Sequence, residues 1–250
     1  MSLAAFVGVN ASYLMLTFLP PILWLLFYLR EDRHPEPKLL IFMTFIAGMM
    51  SVTVALVGEC VFVQLRDGGS CQQGIDYMSR NVFTLFLGIA FIEEYVKYLV
   101  VKFLVLRRKD FDEPVDAMIY MMTAALGFAA AENALFAFPL FHSNMLLGLE
   151  VTTSRFLGAN LLHALSSAIV GFSLARAWFS PHRHHAIAIG VIIASFLHAS
   201  FNYLILIRDS FAEGILYIIL LLALMAVVVF IDFERLRNSL STDKGGFDGV

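Results

Sequence analysis

Charge is what this 250-residue chain has least of: 15% of its residues are Asp, Glu, Lys or Arg, while 60% are hydrophobic. Soluble domains are about half apolar and about a quarter charged, so a water-soluble globule is excluded and an integral membrane protein is expected. Cysteine is scarcer still. Cys60 and Cys71 are too few for a disulfide scaffold or a four-cysteine zinc site, although a single bridge between them stays open if Cys71 lies in an extracytoplasmic loop. No basic run is interleaved with aromatics and the net charge is only −3, so nothing points to a nucleic-acid partner. The His-Glu-x-x-His spacing of zincins is missing. Ser166-Ser167 lack a Gly-rich elbow, which leaves a serine nucleophile weakly supported. There is no internal repeat of fixed period and no sign of a second domain, so residues 1–238 read as one transmembrane domain and 239–250 as a disordered tail. Met1 to Asn10 has no basic n-region, and the apolar run that follows reads as a retained span.

What is there is long apolar runs. They fall at Val9–Leu29, Leu39–Leu65, Val82–Leu106, Val115–Pro139, Arg155–Phe179, His185–Ile207 and Ile215–Ile231, each near the length that about 20 helical residues need to cross a bilayer. The expected fold is therefore all-α, a polytopic bundle of about seven spans. Orientation follows from Lys and Arg, which concentrate in cytoplasmic loops. With the amino terminus outside, the inner side collects most of the 17 Lys and Arg, including Arg107, Arg108 and Lys109, and the outer side keeps Arg66, Arg80, Arg155 and Arg208. This predicts N-out, C-in.

Against that apolar background Phe91-Ile92-Glu93-Glu94-Tyr95-Val96-Lys97 stands out. A charged residue at the centre of a bilayer costs on the order of 2.5 to 3.5 kcal/mol even on lenient scales, so a cluster of three marks a functional site. On a helix Lys97 is four residues from Glu93 and three from Glu94, and can reach either. Other spans carry Glu132-Asn133, His163, and His198 with Asn202 one turn apart. At 1.5 Å per residue, Glu93, Glu132, His163 and His198 lie roughly 10 to 17 Å below the outer ends of their spans. Four helices that alternate in direction thus place polar groups in one layer, which predicts one shared, water-filled site.

Carboxylates, imidazoles and an amide without a nucleophile suit activated water: a glutamate assisted by histidine takes its proton and an amide such as Asn202 stabilises the oxyanion. Adjacent helix positions point about 100° apart, so either Glu93 or Glu94 fits as the base. Three other readings use the same residues: zinc held by His163, His198 and a Glu; a proton-coupled transporter with a Glu/His relay; and a purely structural polar layer. The broken helices and paired repeats of transporters are not visible. Glu59 and Glu150 read as ordinary interface residues near helix ends.

Six stretches carry a family likeness: Glu93-Glu94-x-x-Lys97, Gly127-Phe128-x-x-x-Glu132-Asn133, Arg155 with His163, His198-x-x-x-Asn202, and the polar segments Asp32–Pro37 and Asp112–Asp116. In these the chain resembles the PrsW family of intramembrane proteases, within the larger group of CAAX-prenyl endopeptidases and Abi proteins. The resemblance implies a glutamate-dependent, metal-independent endopeptidase without cofactor in a bacterial cytoplasmic membrane. It would cut single-span or otherwise anchored membrane proteins, anti-sigma factors among them, near the outer face. It maps Glu93 to the water-activating carboxylate, His198 to its partner and Asn202 to the oxyanion donor. Glu94, Glu132 and His163 map to supporting positions, with Lys97, Phe128, Asn133 and Arg155 around them. CAAX-type enzymes carry His where Glu132 stands and Arg near Lys97, so prenyl-CAAX processing is not expected.

Overall fold

Apolar runs of this length are stable in lipid as helices, because every peptide group must find its partner within the segment. The computed structural model describes residues 3–30, 34–68, 81–177, 183–210 and 213–243. Among these, the elements are α1 (Leu3–Tyr28), α2 (Lys38–Asp67), α3 (Val82–Leu104), α4 (Pro114–Ser143), α5 (Met145–Leu157), α6 (Ala159–Ala177), α7 (Arg183–Ile207), a short 3-10 turn (Arg208–Ser210) and α8 (Gly214–Asp243). The described residues contain no strand. Cys71, the far half of the possible bridge, lies outside the described residues.

Six segments are long and apolar enough to cross a membrane, with α5 and α6 forming one of them, Met145–Ala177. The expected fifth span therefore starts ten residues earlier than Arg155, which sits in the last turn of α5. Helix α3, the expected third span, is not among the six. Its charged residues lower its hydropathy, but Glu93, Glu94 and Lys97 all point inward and are buried. The large side chains left bare, such as Phe42 and Val54 on α2 and Leu220 and Leu224 on α8, form the face that meets lipid.

Helix α4 runs through the middle. Its residues from Val115 to Ala130 are buried all round, as expected of a helix enclosed by others, and it packs against α6, α2, α1 and α5. Small residues allow this closeness. A Cβ on Gly48 would come 2.1 Å from the Ala124 carbonyl oxygen, and one on Gly127 2.0 Å from that of Phe45. The two glycines thus press α2 and α4 together backbone to backbone. Because neither carbonyl can yield as a side chain would, Gly127→Ala is expected to destabilise the fold by about 3 kcal/mol or more. Thermal unfolding in detergent checks this, and an unchanged midpoint would refute the contact.

The end of α4 away from the site is pinned to the loop before α2. Pro114 opens the helix, and Asp116 accepts from the backbone N–H groups of Asp112 and Glu113 at 3.0 and 2.8 Å. Tyr120 donates to Glu36 at 2.5 Å, and His34 pairs with Glu113 at 2.7 Å. His34 and Glu36 of the first polar segment therefore meet Glu113 and Tyr120 at the start of α4, about 18 Å or more along the helix from Glu132, and hold α2 and α4 in register.

Candidate active site

The side chains that the apolar background made conspicuous converge on one point between α3, α4, α6 and α7. Lys97 is its hub. The ammonium, fully buried, lies 2.9 Å from Glu94 Oε1, 3.5 Å from Glu93 Oε2 and 2.9 Å from His163 Nδ1, with the Phe128 ring centroid 4.4 Å away. An ammonium only donates. His163 Nδ1 must then accept, which places the ring proton on Nε2, where it is donated to Glu132 Oε2 at 2.8 Å.

Glu132 is in turn held by Arg155, whose Nη2 donates at 2.7 Å. The Arg155 Nε donates to Asn133 Oδ1 at 2.5 Å, and the Asn133 amide donates to Asn160 at 3.0 Å and to the Thr17 carbonyl at 3.4 Å. This chain of bonds ties α3, α6, α4, α5 and α1 together. Asn160, not legible as a participant in the sequence, is buried at its centre. The helix breaks between α5 and α6 at Gly158, and Arg155 reaches Glu132 from the last turn of α5, a placement that a straight span starting at Arg155 does not anticipate.

The two adjacent glutamates differ sharply. Glu94 is saturated: Oε1 accepts from Lys97, His198 Nδ1 and Ser166, each at 2.9 Å, and Oε2 from Ser167 at 2.8 Å. The serines weighed as nucleophiles are thus fully buried donors to a carboxylate. Glu93 is 5% exposed, and its Oε2 has no hydrogen-bond partner. That oxygen lies 3.9 Å from His163 Nδ1 and 3.9 Å from His198 Nε2. Since His198 spends its Nδ1 proton on Glu94, Nε2 is left as an acceptor facing Glu93.

Glu93 opens on a cavity of about 650 Å³ that also receives Glu132, Arg155 and Asn202. Asn202 borders a second, smaller cavity beside it with His163 and His198, and its amide has no partner among the described residues. Apolar side chains, among them Leu56, Val63, Leu85, Phe86 and Ile89, form most of the larger cavity's wall. Glu59 is part of that wall too. Its reading as an ordinary interface residue is corrected here. Val52, Ala55, Glu59 and Val63 recur at helical spacing, so Glu59 shares the inward stripe of α2, and that periodicity was the available signal.

Comparison with known proteins gives the family. Residues 36–231 match the family described as PrsW family intramembrane metalloprotease. A Protease PrsW of Geobacillus kaustophilus is 31% identical over 184 residues, 73% of this chain and 74% of the relative. That of Bacillus subtilis is 28% identical over 181 residues, 72% of this chain and 75% of the relative. The Clostridioides difficile protein is 24% identical over 241 residues, 94% and 95% of the two chains. No solved structure matches.

The word metalloprotease invites a test of the donor set. Glu93, His163 and His198 offer atoms within 4.8 Å of one another, and two histidines with a glutamate are a known catalytic zinc set. His163, however, has no nitrogen to give. Nε2 is bonded to Glu132, and zinc at about 2.0–2.1 Å from Nδ1 would overlap the Lys97 ammonium standing 2.9 Å from the same atom. In this arrangement the residues do not fit a three-ligand metal, and the positive charge at the centre is the lysine's.

Proposed function

The chain belongs to the PrsW family of intramembrane proteases, and from that premise we propose that it hydrolyses peptide bonds of single-span membrane proteins with water activated by Glu93. One observation carries this reading: Glu93 Oε2 is buried without a hydrogen-bond partner, faces the cavity, and lies 3.9 Å from the open Nε2 of His198. Two acceptors cannot bond to each other, and at that distance they are near enough to share one water that donates a proton to each. Glu93 takes a proton from this water as its oxygen attacks the carbonyl carbon of the scissile bond. The carbonyl oxygen becomes an oxyanion, and the Asn202 amide donates to it. Glu93 then hands the proton to the departing amine nitrogen as the C–N bond breaks, leaving one new carboxyl and one new amine.

Glu94 serves a different end in this scheme. Its four donors hold it still, and it fixes the His198 tautomer and anchors Lys97. General-base action of this kind is worth about 10²–10⁴ in rate, and a single oxyanion donor about 10²–10³. With the amino terminus outside, as the Lys and Arg distribution supports, the cavity lies toward the outer face, since it is walled by the last turns of α2 and α7 and the first turns of α3.

The test is cleavage of a purified single-span substrate by the reconstituted protein, with product ends identified by mass spectrometry, in the presence and absence of a strong chelator. Cleavage at the same rate in both is expected. Activity that disappears with chelator and returns with added zinc would overturn the glutamate reading.

A further inference from the structure

Building on the protease reading, we propose that Glu59 is a specificity determinant that receives the side chain of a lysine or arginine next to the substrate's scissile bond. Three observations point to it. First, Glu59 stands in the wall of the same cavity as Glu93, and among the described residues it has neither an ion pair nor a hydrogen bond. Second, α2 and α3 place it near the level of the proposed base: a Cβ on Gly58 would lie 3.0 Å from Ile92 Cγ2, and Glu59 and Glu93, each one residue further on along these oppositely directed helices, stand about 3 Å apart in height. Third, the charges around the site do not balance. The carboxylates Glu59, Glu93, Glu94 and Glu132 face two fixed cations, Lys97 and Arg155, and both cations are already engaged, Lys97 with Glu94 and, at 3.5 Å, Glu93, and Arg155 with Glu132.

Glu59 is a half-buried carboxylate among Leu56, Val63, Leu85 and Phe86, and an ionisable group in a membrane interior normally has a partner. Here the partner is supplied by the substrate. A cavity of about 650 Å³ is within the range that holds a ligand of several groups, so an extended segment with one basic side chain against Glu59 places its neighbouring carbonyl at Glu93. A cation also lowers the cost of bringing a peptide into a region with excess negative charge. The substrate class is therefore membrane proteins with a basic residue immediately beside the cleavage point.

The experiment uses a leucine-alanine transmembrane peptide in which one position near the outer end is Lys, Arg, Gln or Glu, moved stepwise along the peptide. The reconstituted wild-type protein is expected to cleave beside Lys or Arg about tenfold better than beside Gln, a difference of about 1.4 kcal/mol, with the preference in KM more than in kcat. Glu59→Gln should reduce that ratio to near one, and Glu59→Lys should favour the Glu peptide. Binding of the same peptides to Glu93→Gln, which does not depend on turnover, should show the same order, lost in the Glu93→Gln, Glu59→Gln double variant. If Glu59→Gln keeps the Lys preference, or if the Glu93→Gln protein binds Lys and Gln peptides equally, the proposal is overturned. Absence of cleavage of every peptide would instead count against the protease reading, and the binding arm would still decide the role of Glu59.

Discussion

Replacing Glu93 with glutamine is expected to cut peptide cleavage by about 10³-fold or more while leaving the fold as stable as before, or slightly more so. The rate loss follows because an amide of the same shape cannot take a proton from water, and general-base catalysis alone accounts for about 10²–10⁴. Stability holds because Glu93 Oε2 is buried without a hydrogen bond and has only the long 3.5 Å ion pair with Lys97, too little to offset the cost of burying a carboxylate in the folded state. Glu94→Gln should behave differently. It exchanges an acceptor of four hydrogen bonds for an amide that can accept on one side only, so it should lose stability as well as activity. Cleavage rate and thermal unfolding measured on both variants separate base from anchor. A Glu93→Gln protein that keeps a tenth of wild-type activity would remove Glu93 from the chemistry.

Replacing Lys97 with methionine is expected to cost about 3–5 kcal/mol, the usual consequence of breaking a buried ion pair from one side. Lys97 and Glu94 are both fully buried, so solvent does not screen the loss. The same change removes the donor that holds His163 Nδ1, and the imidazole is then free to carry its proton on either nitrogen. Cleavage should fall with stability. Metal content gives a second readout: wild-type protein dialysed against zinc should remain without a stoichiometric ion, whereas Lys97→Ala, with Nδ1 released beside Glu93 and His198, should take up zinc toward one per chain. Stoichiometric zinc in the wild type at Glu93, His163 and His198 would show that the lysine does not close the site.

Much of this was legible before any coordinates. Glu93, Glu94 and Lys97 were conspicuous because charge in an apolar run is costly enough to demand a reason, and Glu132, His163 and His198 followed from their common depth. The family match and the helical crossings bear out that reading of class and architecture. Other participants were misread or missed. Ser166 and Ser167 drew notice as weak nucleophiles, but their hydroxyls point at Glu94 and are sealed from the cavity. Glu59 looked like an interface residue because its distance from the helix end outweighed the helical spacing it shares with Val52, Ala55 and Val63. Asn160 could not be singled out, since an asparagine in a membrane helix has many possible partners.

The amino-acid sequence by itself determined that this is a multi-pass helical membrane protein with a polar layer at one height, because the solvation cost of peptide groups and charges in lipid depends on residue type and position along the chain. Only the tertiary structure decided which of two neighbouring glutamates is saturated and which faces the cavity, and that Lys97 stands where a metal would bind. Neighbouring helix positions diverge by about 100°, so the facing of each is set by how α3 packs against α2, α6 and α7, and that packing is a property of the assembled bundle.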